Sequence, residues 1–193
     1  MPWEKAFDVD LVLNKAMDAF WARGYEATSM QDLVASTGVN RASLYATYGD
    51  KHSLFLKALR MYDERQRHAL LTRLEAGPSP KAAIRQLFHA FASSAVEDGV
   101  NRGCFMTNTA LELAARDREA RQVVATAQEQ IEMFFERMVK AGQRIGEMSP
   151  ELNPGTTASG LLATLLGLLV LVRSRPHRKV LDAVVKDAMK RLE

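Results

Sequence analysis

The chain has a single cysteine, Cys104, among its 193 residues. That excludes an intramolecular disulfide and fits a reducing compartment. No segment alternates apolar and polar residues as a half-buried strand does, and there is no internal repeat or low-complexity tract. His52, His68, His89 and His177 show no metal-ligand spacing with one another or with Cys104, and no glycine-rich phosphate loop is present. No metal and no cofactor are therefore expected. The opening MPWEKAFDVD lacks the apolar core of a signal peptide. The longest apolar run, Gly160 to Val172, is shorter than the roughly 18–20 residues of a membrane span, so a soluble, cytoplasmic protein without a membrane partner is expected. Charge of one sign is scarce as well. The formal net charge is only +3, and residues 1–75 carry ten basic and ten acidic side chains. Any nucleic-acid binding in that half must rest on local contacts rather than on bulk attraction.

What remains is helical pattern, with 47% hydrophobic residues to supply a core. From Asp8 to Arg23, Val9, Leu13, Ala16, Met17 and Phe20 share one face, and Gly24 closes the helix. Asp50 caps a long helix reaching about Leu74, and Gly77-Pro78-Ser79-Pro80 is the clearest break in the chain. A helix from Lys81 to about Val96 is expected next, then a turn at Asp98-Gly99 and a short buried helix opened by Gly103. Asp117 begins a long amphipathic helix running to about Gly142. The apolar helix of residues 156–173, a break at Pro176 and a last helix from Arg178 to Leu192 complete an all-α chain.

Between Thr28 and Lys57 the pattern sharpens. Thr28 and Gln31 have capping-box spacing, and Met30, Leu33 and Val34 form an apolar face. Gly38 can take the positive φ of a sharp turn, and Asn40 is a natural N-cap for a second short helix over residues 41–48. A helix-turn-helix of this kind places the start of its second helix in the DNA major groove. There Arg41 can pair with guanine, while Ala42 and Ser43 suit apolar or adaptable contacts. Thr28 and Ser29 can cap a helix or donate to phosphate, and Lys51 with the first amides of the next helix can meet another phosphate.

These residues resemble the TetR family of bacterial transcriptional regulators. The matching pattern is Ala16, Phe20, Gly24-Tyr25, Thr28-Ser29-Met30, Leu33, Gly38-Val39, Leu44-Tyr45, Tyr48, Lys51 and Leu54. The segment Gly103-Cys104 with Asn108 to Glu112 looks like one subgroup of that family. The resemblance implies a DNA-binding domain over residues 1–49 and a helical ligand-binding and dimerisation domain over residues 50–193, joined by the helix of residues 50–74. It implies double-stranded operator DNA, a small-molecule effector and a second copy of the chain as partners. It adds Asn40, Tyr45, Thr47 and Tyr48 to the DNA side.

For the effector, Met61, Phe88, Phe91, Met106, Asn108 and Phe134 are candidate cavity residues, though side chains of this kind at helical spacing also build plain cores. Cys104 joins them. Capped by Asn101 at a helix start and beside Arg102, its thiol would be activated towards oxidants or electrophiles; otherwise it is a small buried apolar residue. For the dimer, Gly160, Thr164 and Gly167, with Leu168 and Leu171, form the expected interface. Two rivals are weighed beside a regulator. An enzyme using Cys104 lacks a base at any recognisable spacing. A helical small-molecule-binding protein that no longer reads DNA is the alternative left by the neutral N-terminal half.

Overall fold

A computed structural model describes residues 7–93 and 102–193, and among these every regular element is a helix. Helix α1 (Val9–Arg23) starts where the Asp8 carboxylate accepts from the amides of Asp10 and Leu11 at 2.9 and 3.1 Å. It stops at Gly24, whose φ of +86° favours glycine. Helix α2 (Met30–Thr37) has a capping box, one residue later than expected: Ser29 and Asp32 cap each other's backbone. Gly38 turns the chain in the left-handed region, and α3 (Arg41–Tyr48) begins as the Asn40 side chain accepts from the Ser43 amide at 2.9 Å. Asp50 then caps α4 (Lys51–Tyr62) through the Ser53 amide at 2.6 Å. The long helix expected to reach Leu74 is present. It contains a π-helical segment, Asp63–His68, before resuming as α5 (Ala69–Glu75), which no sequence pattern announced.

Helix α6 spans Pro80–Ser93. Its expected extension to Val96, the turn at Asp98-Gly99 and the Asn101 cap lie outside the described residues. The short helix α7 is Phe105–Glu112, starting two residues later than Gly103, with Cys104 at its N-cap position and no side chain capping it. Asp117 caps α8 (Arg118–Arg144), and Asn153 with Pro154 opens α9 (Pro154–Ser174). The last helix, α10, is Arg178–Lys190.

Helices α1 to α3 wrap Ala16, Phe20, Leu33, Val39 and Leu44, and the remaining helices bury a larger core around Phe88, Phe134, Phe135 and Leu165. The two are not separate. Phe20 meets Phe55 edge-on at 5.2 Å, Phe55 meets Phe105 at 5.6 Å, and Phe105 meets Tyr62 at 5.7 Å, so one apolar cluster crosses the seam. Helix α9 corrects the expectation from its apolar run. It has 21 residues and a window of mean hydropathy 1.9, long and apolar enough by length and composition to cross a membrane. In this fold Ala158, Leu161, Leu165, Leu168, Leu169 and Val172 turn inward, and it packs along α8.

Candidate functional site

The outward side of the helix-turn-helix is built by what its inward side buries. Leu33, Val39 and Leu44 lock α2 against α3, leaving Asn40, Arg41, Ala42 and Tyr45 exposed on one strip, with Ser43 and Thr47 half-buried at its edge. Arg41 donates to the Tyr45 hydroxyl at 3.2 Å, and its guanidinium carbon lies 5.4 Å from that ring's centroid. The pair holds a cation and a phenol at the helix surface, both free to turn towards a polyanion. Ser29 is exposed beside this strip, and Lys51 stands at the first turn of α4 with its ammonium 4.3 Å from the Tyr25 ring centroid. Two expected contacts are withdrawn. Thr28 is fully buried and its hydroxyl donates to the Gly24 carbonyl at 2.6 Å, so it serves the turn rather than a phosphate. Tyr48 is buried and donates to the Val9 carbonyl at 2.9 Å, tying α3 to the start of α1. Tyr25, beneath Lys51, is the residue that sequence reading left out of this surface.

The Asp32 carboxyl, accepting from the Ser29 hydroxyl and amide and paired with Arg23, is pushed down to about 2. The cap of α2 is thus ionised throughout the neutral range.

A second set of contacts joins this reader to the rest of the chain. The Glu112 carboxylate at the end of α7 accepts from the amides of Tyr25 and Glu26 at 3.2 and 2.9 Å. At the other end of α7, the Gly103 carbonyl accepts from the Trp21 indole at 2.9 Å. Arg102 pairs with Asp18 at 3.0 Å, Arg116 with Glu26 at 3.2 Å, and His52 with Asp117 at 2.7 Å. Burial raises the Asp117 carboxyl, but the Ala120 amide and His52 outweigh it and leave it below its ordinary range. None of this clamp was legible in the sequence, because its members are far apart in the chain, 87 residues for Tyr25 and Glu112.

Two cavities flank Cys104. The inner one, of about 40 Å³, has Phe91, Cys104 and Met106 on its wall as expected, joined by Tyr62, the Asp63–Arg67 pair, Thr107, Gln128 and Leu165. Arg67 is buried and held in two places by Asp63, at 2.5 and 2.7 Å, within the π segment. Four expected wall residues are absent from it. Phe88 and Phe134 are fully buried packing residues, Met61 is buried away from this wall, and Asn108 donates to the Arg102 carbonyl at 2.8 Å. The outer cavity is a cleft of about 500 Å³ between α1, the π segment, α5 and α6, reaching Gly103 and Cys104. Cys104 itself is buried, with the Tyr62 hydroxyl 3.8 Å from Sγ. Burial first, and the neighbouring thiol second, push the Tyr62 hydroxyl well above its usual range.

On α9, Gly167 is exposed, while Gly160, Thr164 and Leu171 are half-buried. A Cβ built on Gly160 or Gly167 would meet nothing within 4 Å. Leu168 is the correction here: it is fully buried within its own chain and cannot face a second copy.

Comparison with known proteins fits this arrangement. The family model "Bacterial regulatory proteins, tetR family" matches residues 12–58, and "Tetracyclin repressor-like, C-terminal domain" matches residues 80–188. The chain is 37% identical over 148 residues to the uncharacterized HTH-type transcriptional regulator YezE of Bacillus subtilis (strain 168), covering 76% of each. It is 30% identical over 171 residues to the HTH-type transcriptional repressor ComR of Escherichia coli (strain K12), covering 88% of this chain and 81% of that one. Among solved structures, a cysteine mutant of the TetR family transcriptional regulator CifR complexed with 26bp double-strand operator DNA aligns with a TM-score of 0.87 and 27% identity, over 99% of this chain and 100% of that one.

Proposed function

Because this chain belongs to the TetR family of helix-turn-helix transcriptional regulators, we propose that it acts as a homodimeric repressor that leaves a palindromic operator when a small molecule binds. The observation that carries the reading is the Glu112 clamp. The same short helix that reaches the cavities through Cys104 and Met106 grips the α1–α2 turn of the reader. A ligand that shifts α7 therefore moves the α3 strip relative to the rest of the molecule. Only differential affinity is needed: a tenfold change in DNA binding corresponds to about 1.4 kcal/mol of coupling. Arg41, Ala42 and Ser43 read base edges. Ser29, Asn40, Tyr45, Thr47 and Lys51 set the register on the phosphates. One such helix reads few base pairs, so a second copy joined through the open small-residue side of α9 supplies the other half-site. The relatives named as an HTH-type transcriptional repressor and as a regulator bound to operator DNA support repression by direct operator binding.

Selection of random duplexes by the purified protein at moderate salt tests the reading. The expected product is an inverted repeat whose half-sites are centred about one helical turn apart. No enriched sequence at any salt would overturn it in favour of a helical ligand-binding protein.

A further inference from the structure

The outer cleft contains cations that no carboxylate among the described residues neutralises. Arg65, on the π segment, donates to the neutral amide oxygen of Asn14 at 2.5 Å. Arg73, two turns on, has no hydrogen-bond or ion-pair partner among the described residues. Both line the cleft, and no aspartate or glutamate lines it among the described residues. This contrasts with the neighbourhood, where Arg67 has Asp63, Arg102 has Asp18 and Arg137 has Glu75. Much of the remaining wall is apolar, with Ala69 and Leu70 on the same helix as the arginines and Trp21, Ala90 and Phe91 from α1 and α6. A volume of about 500 Å³ lies within the usual range of small-molecule sites, roughly 300–1,000 Å³. The floor of the cleft reaches Tyr62 and Cys104, which it shares with the inner cavity.

We infer that this cleft, at the seam between reader and core, binds a medium-chain carboxylic acid, its carboxylate taken by Arg65 and Arg73 and its tail laid against Trp21 and Phe91. The inference rests on the effector part of the function proposed above and names the chemical class of that effector. Guanidinium suits the task because its planar fork matches a carboxylate with parallel donors. The position gives the acid a direct route to the reader. Trp21 belongs to α1, and its indole donates to the Gly103 carbonyl immediately before α7. A tail inserted beside that ring displaces the indole from Gly103 and loosens one of the contacts holding the reader in place.

The full-length chain with Trp3→Phe leaves Trp21 as the only indole, so its fluorescence reports occupancy of the cleft. Decanoate and 1-decanol serve as probes of matched length, differing in charge. Decanoate is expected to give a saturable change with a Kd at least about tenfold below that of the alcohol, since hydrogen bonds to charged groups are worth roughly 1.5–3 kcal/mol. Arg65→Gln with Arg73→Gln should erase that preference, while Arg65→Lys with Arg73→Lys should keep it. Circular dichroism confirms that each variant is folded. Equal affinity for acid and alcohol, no saturable signal with decanoate, or an undiminished preference in the glutamine variant overturns the site. No DNA is present in this titration, so its outcome is separable from the function. A chain that selects an operator but ignores decanoate loses the site and keeps the regulator. One that binds decanoate and selects no DNA does the reverse.

Discussion

Arg41 is the arginine of α3, and in the free protein it rests on Tyr45 through one 3.2 Å hydrogen bond and a ring contact. Both residues are exposed, so turning the guanidinium to a base edge disrupts no packing. Arg41→Ala is accordingly expected to relax sequence preference at one base position, at a loss of about 1–3 kcal/mol, with the melting temperature unchanged. Binding of shuffled operators by the variant checks this; an unaltered preference sinks the assignment. Asp32 offers a test of the cap. Its carboxyl is depressed from 3.8 to about 2, so its contribution to stability is fully present above about pH 4 and is lost as pH falls through about 2. Wild type and Asp32→Asn should therefore differ in urea midpoint at neutral pH and converge towards pH 2. The sequence located this cap only to within one residue. Thr28 and Ser29 are equally good capping residues, and burial of the Thr28 side chain under the turn decided between them.

At the scale of elements, α7 is eight residues long and holds both ends of the reader–core seam. Gly24 shows how closely Glu112 approaches. It has a φ of +86°, and a Cβ placed there would lie 2.7 Å from the Glu112 carboxylate. Gly24→Ala is expected to destabilise the protein by about 1–3 kcal/mol, from left-handed strain and from displacement of that carboxylate. Glu112→Ala removes the acceptor of two amides and should cost about 1 kcal/mol by thermal melting. It should also blunt the change in DNA affinity caused by any cleft ligand, and an intact response would remove α7 from the coupling. The helix itself was legible from its apolar residues. Its role was not, because hydrogen bonds that backbone amides donate to Glu112 leave no trace in side-chain pattern. The π segment was hidden for a similar reason: residues 63–68 keep ordinary helical composition, and Arg67 is turned inward by its pairing with Asp63.

For the whole molecule, the question is what covers α9. Glycines 160 and 167 have open space at their Cβ positions, so Gly160→Leu with Gly167→Leu should leave the protomer folded and, by gaining helix propensity, even somewhat firmer. If the two-fold contact runs along this side, the same variant should sediment as a monomer and lose high-affinity operator binding. A dimer that persists would move the interface elsewhere. The expected interface had to be trimmed by Leu168, which serves its own core. A helix this apolar is hydrophobic nearly all round, so composition alone cannot say which side meets the protomer and which meets a partner.

The amino-acid sequence by itself determined that the chain is all helix, where most helices begin, and that residues 28–57 form a helix-turn-helix. Those properties follow from local chemistry: helical periodicity, capping side chains such as Asn40, Asp50 and Asp117, and the left-handed freedom of Gly38. Tertiary structure alone decided that Thr28 and Tyr48 are withdrawn from the surface and that Phe88 and Phe134 line neither cavity beside Cys104. It also decided that Arg65 and Arg73 share a cleft with Trp21. Each of these depends on which helices lie side by side, and that is settled by packing between residues distant in the chain rather than by the pattern within any one segment.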